Sequence, residues 1–99
     1  GADEYTIIAN FSASPTRGAA PLTVHFSDQS TDTVDLWSWD FGDGSSSTEQ
    51  NPTHIYNDYG TYTVSLTVTG PCGSDTESKT NYINLVKAMP WIPLLLLDD

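Results

Sequence analysis

The fold class is decided by the stretch Thr61-Tyr62-Thr63-Val64-Ser65-Leu66-Thr67-Val68-Thr69, in which apolar and hydroxyl-bearing side chains alternate. Successive side chains of a β-strand point to opposite faces of the sheet, so a period of two predicts a strand with one buried and one polar face. A helix would instead repeat its apolar residues every three or four positions. The stretch therefore predicts a long strand whose outer face carries only threonine and serine.

Similar alternating segments, separated by turns that contain glycine or proline, occur on both sides of this strand. They cover residues 5–13, 22–26, 37–41, 45–48, 51–56 and 76–86. No segment shows the apolar period of a helix. Short strands at intervals near ten residues predict an all-β fold, namely an immunoglobulin-like β-sandwich of about seven strands in two antiparallel sheets.

The charge balance excludes whole classes of partner. The chain carries 3 Lys and Arg residues against 13 Asp and Glu residues, which gives a formal net charge of −10. Clustered Lys and Arg residues are needed to bind phosphate backbones, so nucleic acid is excluded as a partner. Attraction to anionic lipid is excluded for the same reason. No apolar run is long enough to predict a membrane span.

A tyrosine corner is predicted at the start of the long strand. The spacing of Asp58 and Tyr62 is typical of that motif in immunoglobulin-like domains, in which the tyrosine hydroxyl bonds to the backbone of the preceding loop. Trp39 suits the buried tryptophan of the middle strand, and Val64 stands where an antibody domain has its second cysteine. Because Cys72 is the only cysteine, apolar packing must replace the disulfide between the sheets.

Three ordered motifs follow one another along the chain: Trp39-Asp40-Phe41-Gly42-Asp43-Gly44, Asn51-Pro52-Thr53-His54-Ile55-Tyr56 and Gly60-Thr61-Tyr62-Thr63-Val64-Ser65-Leu66-Thr67-Val68. Together they closely resemble the PKD (polycystic kidney disease) domain, most of all its microbial and archaeal members on surface-layer and secreted proteins. The resemblance assigns structural roles to a set of motif residues. These are Trp39, Asp40, Phe41, Gly42, Asp43, Gly44, Gly60 and Tyr62.

The resemblance covers residues 7–86 and divides the chain into three parts. Residues 1–6 form an N-terminal lead-in, residues 7–86 the sandwich, and residues 87–99 a tail that belongs to no part of the family. The tail is apolar, with four consecutive leucines, and is interpreted as a linker, a docking segment or an added sequence. Self-association through residues 87–99 is an expectation that follows from its apolar character.

The resemblance also implies a function. PKD domains are non-catalytic modules, so the chain is expected to be no enzyme and to act as an extracellular or cell-surface spacer and adhesion unit. Its partners would be other domains or surface proteins, reached through protein–protein contacts. The alternative is an accessory module of a secreted hydrolase that binds a polymer such as chitin, cellulose or collagen.

Two groups of carboxylates could suggest chemistry. Asp40 and Asp43 lie three residues apart, but both are interpreted as turn residues that accept amide hydrogen bonds, and no catalytic residue is predicted. Some collagenase-type PKD domains bind calcium, but the dense acidic motif of those members is missing here. No metal or other cofactor is therefore predicted, and the alternative is a calcium site formed by Asp32, Asp35 and Asp40.

Aromatic residues supply the candidate binding residues. Trp37 shares a strand face with Trp39, which favours burial, but a twist or bulge near Leu36 would expose it for stacking on a sugar or collagen. Tyr56 and Tyr59 are the other candidates, although their position beside the tyrosine corner favours a structural role.

Overall fold

The computed structural model describes residues 7–87, which form eight β-strands and no helix. The strands are β1 (Phe11–Ser14), β2 (Arg17–Ala19), β3 (Leu22–Asp28), β4 (Leu36–Asp40), β5 (Ser46–Ser47), β6 (Thr53–Tyr56), β7 (Gly60–Gly70) and β8 (Gly73–Val86). The predicted all-β fold is confirmed. The lead-in 1–6 and the tail, apart from Lys87, lie outside the described residues.

The strands form two sheets that pack as a sandwich. The smaller sheet has the order β1-β3-β6 and the larger the order β2-β8-β7-β4-β5. One pair departs from the predicted antiparallel arrangement, because β2 runs parallel to β8, with Arg17 opposite Asn84 and Ala19 opposite Val86. After β1 the chain crosses to the other sheet, where the Asn84 amide donates to the Thr16 carbonyl oxygen. The crossing lets β2 lie along β8 in the same direction.

The core lies between the sheets and is rich in aromatic rings. Trp39 is 1% exposed and contacts Phe11 edge-on, at 5.1 Å between ring centroids. Its ring also lies 5.3 Å from that of Phe26. In β7 every inward side chain from Val64 to Val68 is fully buried, as the alternation predicts. Each such burial stabilises the fold by about 1.5–3 kcal/mol, so apolar packing joins the sheets without a disulfide.

Candidate functional site

The turn between β4 and β5 is fixed by its own carboxylates. Asp40 Oδ1 accepts a hydrogen bond from the Gly42 amide at 3.0 Å, and Asp43 Oδ1 accepts one from the Ser45 amide at 3.0 Å. Gly42 has a φ of 85°, a backbone conformation that strongly favours glycine. Because both carboxylates accept hydrogen bonds from turn amides, their geometry explains the turn.

His54 ties this turn to the smaller sheet. Its Nε2 atom lies 2.7 Å from Asp43 Oδ2, and its ring stacks on Phe41 at 4.3 Å between centroids. The edge of the same ring meets Tyr56 at 4.6 Å. The histidine thus links the turn to the smaller sheet through its contacts with Asp43, Phe41 and Tyr56.

The two tyrosines of this region have internal hydrogen-bond partners. The Tyr62 hydroxyl donates to the Asp58 carbonyl oxygen at 2.5 Å, which is the geometry of a tyrosine corner. Burial and then the neighbouring Asp58 raise the pKa of Tyr62. The Tyr56 hydroxyl donates to the Phe41 carbonyl oxygen at 2.9 Å, and burial raises its pKa.

The interpretation of Tyr56 as a candidate binding residue is corrected by the structure. Its side chain has 0% exposure, so no ligand reaches it. Tyr59, the neighbouring candidate, is 62% exposed and is the one exposed Phe, Trp or Tyr side chain of residues 7–87. Lys87 Nζ lies 5.6 Å from the centroid of its ring. A single exposed ring gives no stacking platform of two or more aromatics.

Trp37 is only half-buried, between the two outcomes that the sequence left open. Its indole Nε1 donates to Asp28 Oδ2 at 2.9 Å, which fixes the ring against the end of β3. The residue lines an open depression of about 470 Å³ on the larger sheet, together with Leu36, Thr48, Thr67 and Thr69. Leu36 is 65% exposed, so the depression has an apolar rim beside several hydroxyls.

The Asp28 carboxylate accepts several hydrogen bonds and holds Trp37 in place. Sequence analysis did not single out this residue. Its carboxylate accepts the Ser30 amide at 2.9 Å and Gln50 Nε2 at 3.4 Å, besides the Trp37 indole. Burial alone would raise the pKa of Asp28, but the hydrogen bonds from Ser30, Trp37 and Gln50 outweigh it and hold the pKa below its usual value of 3.8. Nothing in the sequence distinguishes this carboxylate from others next to loops.

The lowered pKa predicts a pH-dependent contribution to stability. We expect Asp28→Asn to lower the free energy of unfolding by about 1–2 kcal/mol at pH 7, because hydrogen bonds to a charged acceptor are lost. The contribution of the carboxylate is complete above its unfolded pKa near 3.8 and is lost as the pH falls through the lower folded pKa. The difference in the free energy of unfolding between wild type and Asp28→Asn should therefore become smaller in acid.

Urea unfolding of both proteins at pH 7 and in acid below the folded pKa measures this gap. Asp35→Asn is the matched control, because Asp35 is exposed and its carboxylate has no hydrogen-bond partner within residues 7–87. A gap for Asp28→Asn that stays constant in acid would contradict the assignment of this carboxylate as the charged acceptor.

The carboxylates named for calcium are not brought together. Asp35 directly precedes β4 and Asp40 is its last residue, so five steps of extended chain, about 16 Å, separate their backbones. Asp32, in the loop before β4, accepts the amide of Thr33 at 2.9 Å. Across residues 7–87, no group of three or more His, Cys, Asp or Glu side chains is placed to hold a metal ion.

The outer face of the larger sheet carries paired hydroxyls. Ser65 Oγ and Ser78 Oγ lie 2.7 Å apart, and Thr67 Oγ1 and Thr76 Oγ1 lie 2.8 Å apart, each pair across β7 and β8. These pairs satisfy one another, which leaves a smooth polar face.

The sequence matches the family model described as PKD domain over residues 6–85. The chain belongs to the PKD domain family. This PKD domain also resembles solved structures of the family. It is 35% identical to the PKD1 domain of the Vibrio cholerae metalloprotease PrtV, with a TM-score of 0.67 over 80% of this chain and 98% of that one. The PKD1 domain of Vibrio anguillarum Epp is 33% identical, with a TM-score of 0.68 over 82% and 96% of the two chains.

A third structure belongs to work on carbohydrate-binding modules of the β-sandwich superfamily. It is 33% identical to the PKD domain, with a TM-score of 0.75 over 85% of this chain and 36% of that one. The three likenesses confirm the immunoglobulin-like sandwich and the family resemblance that the motifs predicted.

Curated relatives of the PKD domain are much longer proteins. Collagenase ColA of Bacillus cereus is 55% identical over 42 residues, which is 42% of this chain and 4% of the relative. The pre-pro-metalloprotease PrtV of Vibrio cholerae is 38% identical over 74 residues, which is 74% of this chain and 8% of the relative. The chain thus spans less than a tenth of the length of each of these two curated relatives. PKD domains are non-catalytic, and the likeness supports an accessory module.

Within residues 7–87, no helix is long and apolar enough to cross a bilayer.

Proposed function

We propose that this PKD domain is an extracellular spacer and adhesion module of a larger protein, acting through protein–protein contacts with other domains or surface proteins. The observation that carries the proposal is the outer face of the larger sheet, where serine and threonine hydroxyls pair with one another. Such a face is polar and mutually satisfied, which suits a unit that separates neighbours and makes limited contacts with them.

The distribution of aromatic rings supports the same proposal. Insoluble polysaccharides and collagen are commonly held on exposed rings, because a ring face offers apolar area with little loss of side-chain entropy. Here the rings of Phe11, Phe26 and Trp39 contact one another in the core. Among the Phe, Trp and Tyr side chains of the described part of the chain, Tyr59 alone is exposed. The indole N–H of Trp37 donates a hydrogen bond to Asp28.

The relatives support a setting in a larger extracellular protein. Collagenases and a metalloprotease contain a segment like this chain as a small share of their length. A surface with a net charge of −10 suits exposure to solvent outside the cell. Surface-layer membership stays an expectation from the resemblance.

The second candidate is a polymer-binding accessory module. The depression beside Trp37 favours it, since an apolar rim next to several hydroxyls matches the alternating apolar and polar faces of a sugar ring. The likeness to a carbohydrate-binding-module structure points in the same direction.

Co-sedimentation with chitin, cellulose and collagen fibrils separates the two candidates. For the spacer we expect no saturable binding with a Kd below about 1 mM on any of the three polymers. Leu36→Ala is the matched variant, because Leu36 is 65% exposed on the rim of the depression and its removal leaves the core intact. Saturable binding that weakens at least tenfold in Leu36→Ala would establish the polymer-binding function in place of the spacer.

A further inference from the structure

The smaller sheet has two edges, β1 and β6, on either side of β3. A strand at a sheet edge presents backbone N–H and C=O groups that have no ladder partner. These groups are a template for a further strand unless side chains cover them. The two edges of this sheet differ in that respect.

The edge at β1 is covered. The Gln29 amide donates to the Asn10 carbonyl oxygen at 2.8 Å, and this bond fixes which residues of β1 face β3. By alternation, Phe11 and Ala13 direct their amides to the open side. The Phe11 amide donates to Asn10 Oδ1 at 2.9 Å, and the Ala13 amide donates to the Tyr82 hydroxyl at 3.1 Å. Both outward donors therefore have acceptors.

The edge at β6 is open. The Phe26 amide donates to the Pro52 carbonyl oxygen at 2.9 Å, so His54 and Tyr56 also direct their backbone groups to β3. Alternation leaves the N–H and C=O groups of Thr53 and Ile55 on the outer side. Neither amide has a hydrogen-bond partner within residues 7–87, and both residues are exposed. The Ile55 side chain is 49% exposed beside these groups.

Charge indicates the kind of strand that fits. The four residues of β6 include no Asp, Glu, Lys or Arg, but exposed Glu49 precedes them and exposed Asp58 follows them. A second copy of the chain also has a formal net charge of −10, so repulsion between the two copies disfavours self-pairing. A strand with basic ends would instead meet opposite charges at both ends and an exposed apolar side chain in the middle.

We propose that the open edge of β6 binds an extended, basic-ended segment of a partner protein by strand addition. The N–H and C=O groups of Thr53 and Ile55 pair with the incoming backbone. A β-branched side chain of the partner packs beside Ile55, and Lys or Arg residues at its ends lie near Glu49 and Asp58. This proposal rests on the proposed function as a protein-contact module and names the surface that makes the contact.

The test is a titration of isotopically labelled protein with a nine-residue peptide, capped at both termini, that has Lys at each end and alternating Thr and Val between. We expect amide shifts centred on residues 53–56, with an affinity that falls as salt is added. Ile55→Pro removes one outward N–H without touching the ladder to β3, and it should weaken the Kd at least tenfold. Val86→Ala, an exposed apolar change on the other sheet, should leave the Kd unchanged.

A second peptide, methylated on every amide nitrogen, keeps the test independent of any folding defect in Ile55→Pro. It has lost the donors of both strand edges and should not bind. Equal binding of the methylated peptide, equal binding of a Glu-ended peptide, or shifts centred on another strand would each overturn the proposal. Concentration-dependent shifts of residues 53–56 without peptide would overturn it in favour of self-pairing. If the peptide does not bind, the co-sedimentation experiment still tests the proposed function. Failure of one proposal can therefore be distinguished from failure of the other.

Discussion

Trp39→Ala should lower the free energy of unfolding by about 3–5 kcal/mol, which is the cost of emptying a large aromatic site in a core. Trp39 is 1% exposed, and its ring packs against Phe11 and Phe26 of the opposite sheet. Its indole Nε1 also donates to the Glu49 carbonyl oxygen at 2.8 Å, which holds the segment after β5. Removal of the side chain leaves a cavity between the sheets and frees that carbonyl.

Urea unfolding followed by far-ultraviolet circular dichroism measures this loss, since a signal from the backbone does not depend on the deleted tryptophan. Trp39→Phe is the control, because it keeps an aromatic ring in the site but lacks the indole donor. The free energy of unfolding of Trp39→Phe should lie between those of wild type and Trp39→Ala. If both variants unfold within about 1 kcal/mol of wild type, Trp39 does not join the sheets as described.

Gly42→Ala is expected to have the second large effect and to lower the free energy of unfolding by about 3 kcal/mol. An alanine at the φ of 85° would occupy a left-handed conformation that costs about 1–2 kcal/mol. Its Cβ would also press against the backbone carbonyl oxygen of Thr63 in β7. A strand cannot yield as a flexible side chain does, so a further 1–3 kcal/mol, roughly, is expected from overpacking.

Gly44→Ala separates these two costs. Gly44 has a similar φ of 92°, but a Cβ built there meets nothing within 4 Å. The free energy of unfolding of Gly44→Ala should therefore fall only by the conformational cost, about 1–2 kcal/mol. Equal losses in the two variants would mean that the approach of the turn to Thr63 contributes nothing. Thermal unfolding of both variants, compared at a common temperature, supplies the numbers.

The features that sequence analysis predicted correctly are those encoded over a few residues. The alternation of β7 predicted its buried face because strand side chains repeat every two positions, and Val64, Leu66 and Val68 are all fully buried. The spacing of Asp58 and Tyr62 predicted a hydroxyl-to-backbone bond that the structure contains. In each case one local period or one fixed offset specifies the geometry.

The features that sequence analysis missed depend on residues far apart in the chain. β2 pairs with β8 across more than sixty residues of sequence. The three-residue segment Arg17–Ala19 has no alternation of apolar and polar side chains that would predict a strand. Trp37 meets Asp28 only because β3 and β4 belong to opposite sheets that come together at that end. The half-burial of Trp37 followed from this partner and from the edge of the core, neither of which periodicity can specify.

The parallel pairing of β2 and β8 predicts how the domain responds to stretching. When the chain is stretched, β2 is drawn toward its start and β8 toward its end, so the two strands are pulled in opposite directions along a shared axis. The pairs of Arg17, Gly18 and Ala19 with Asn84, Leu85 and Val86 are then sheared together. Antiparallel strands pulled from one end would instead unzip one bond at a time. The pairing is therefore expected to resist mechanical load, a property that would serve the proposed spacer role.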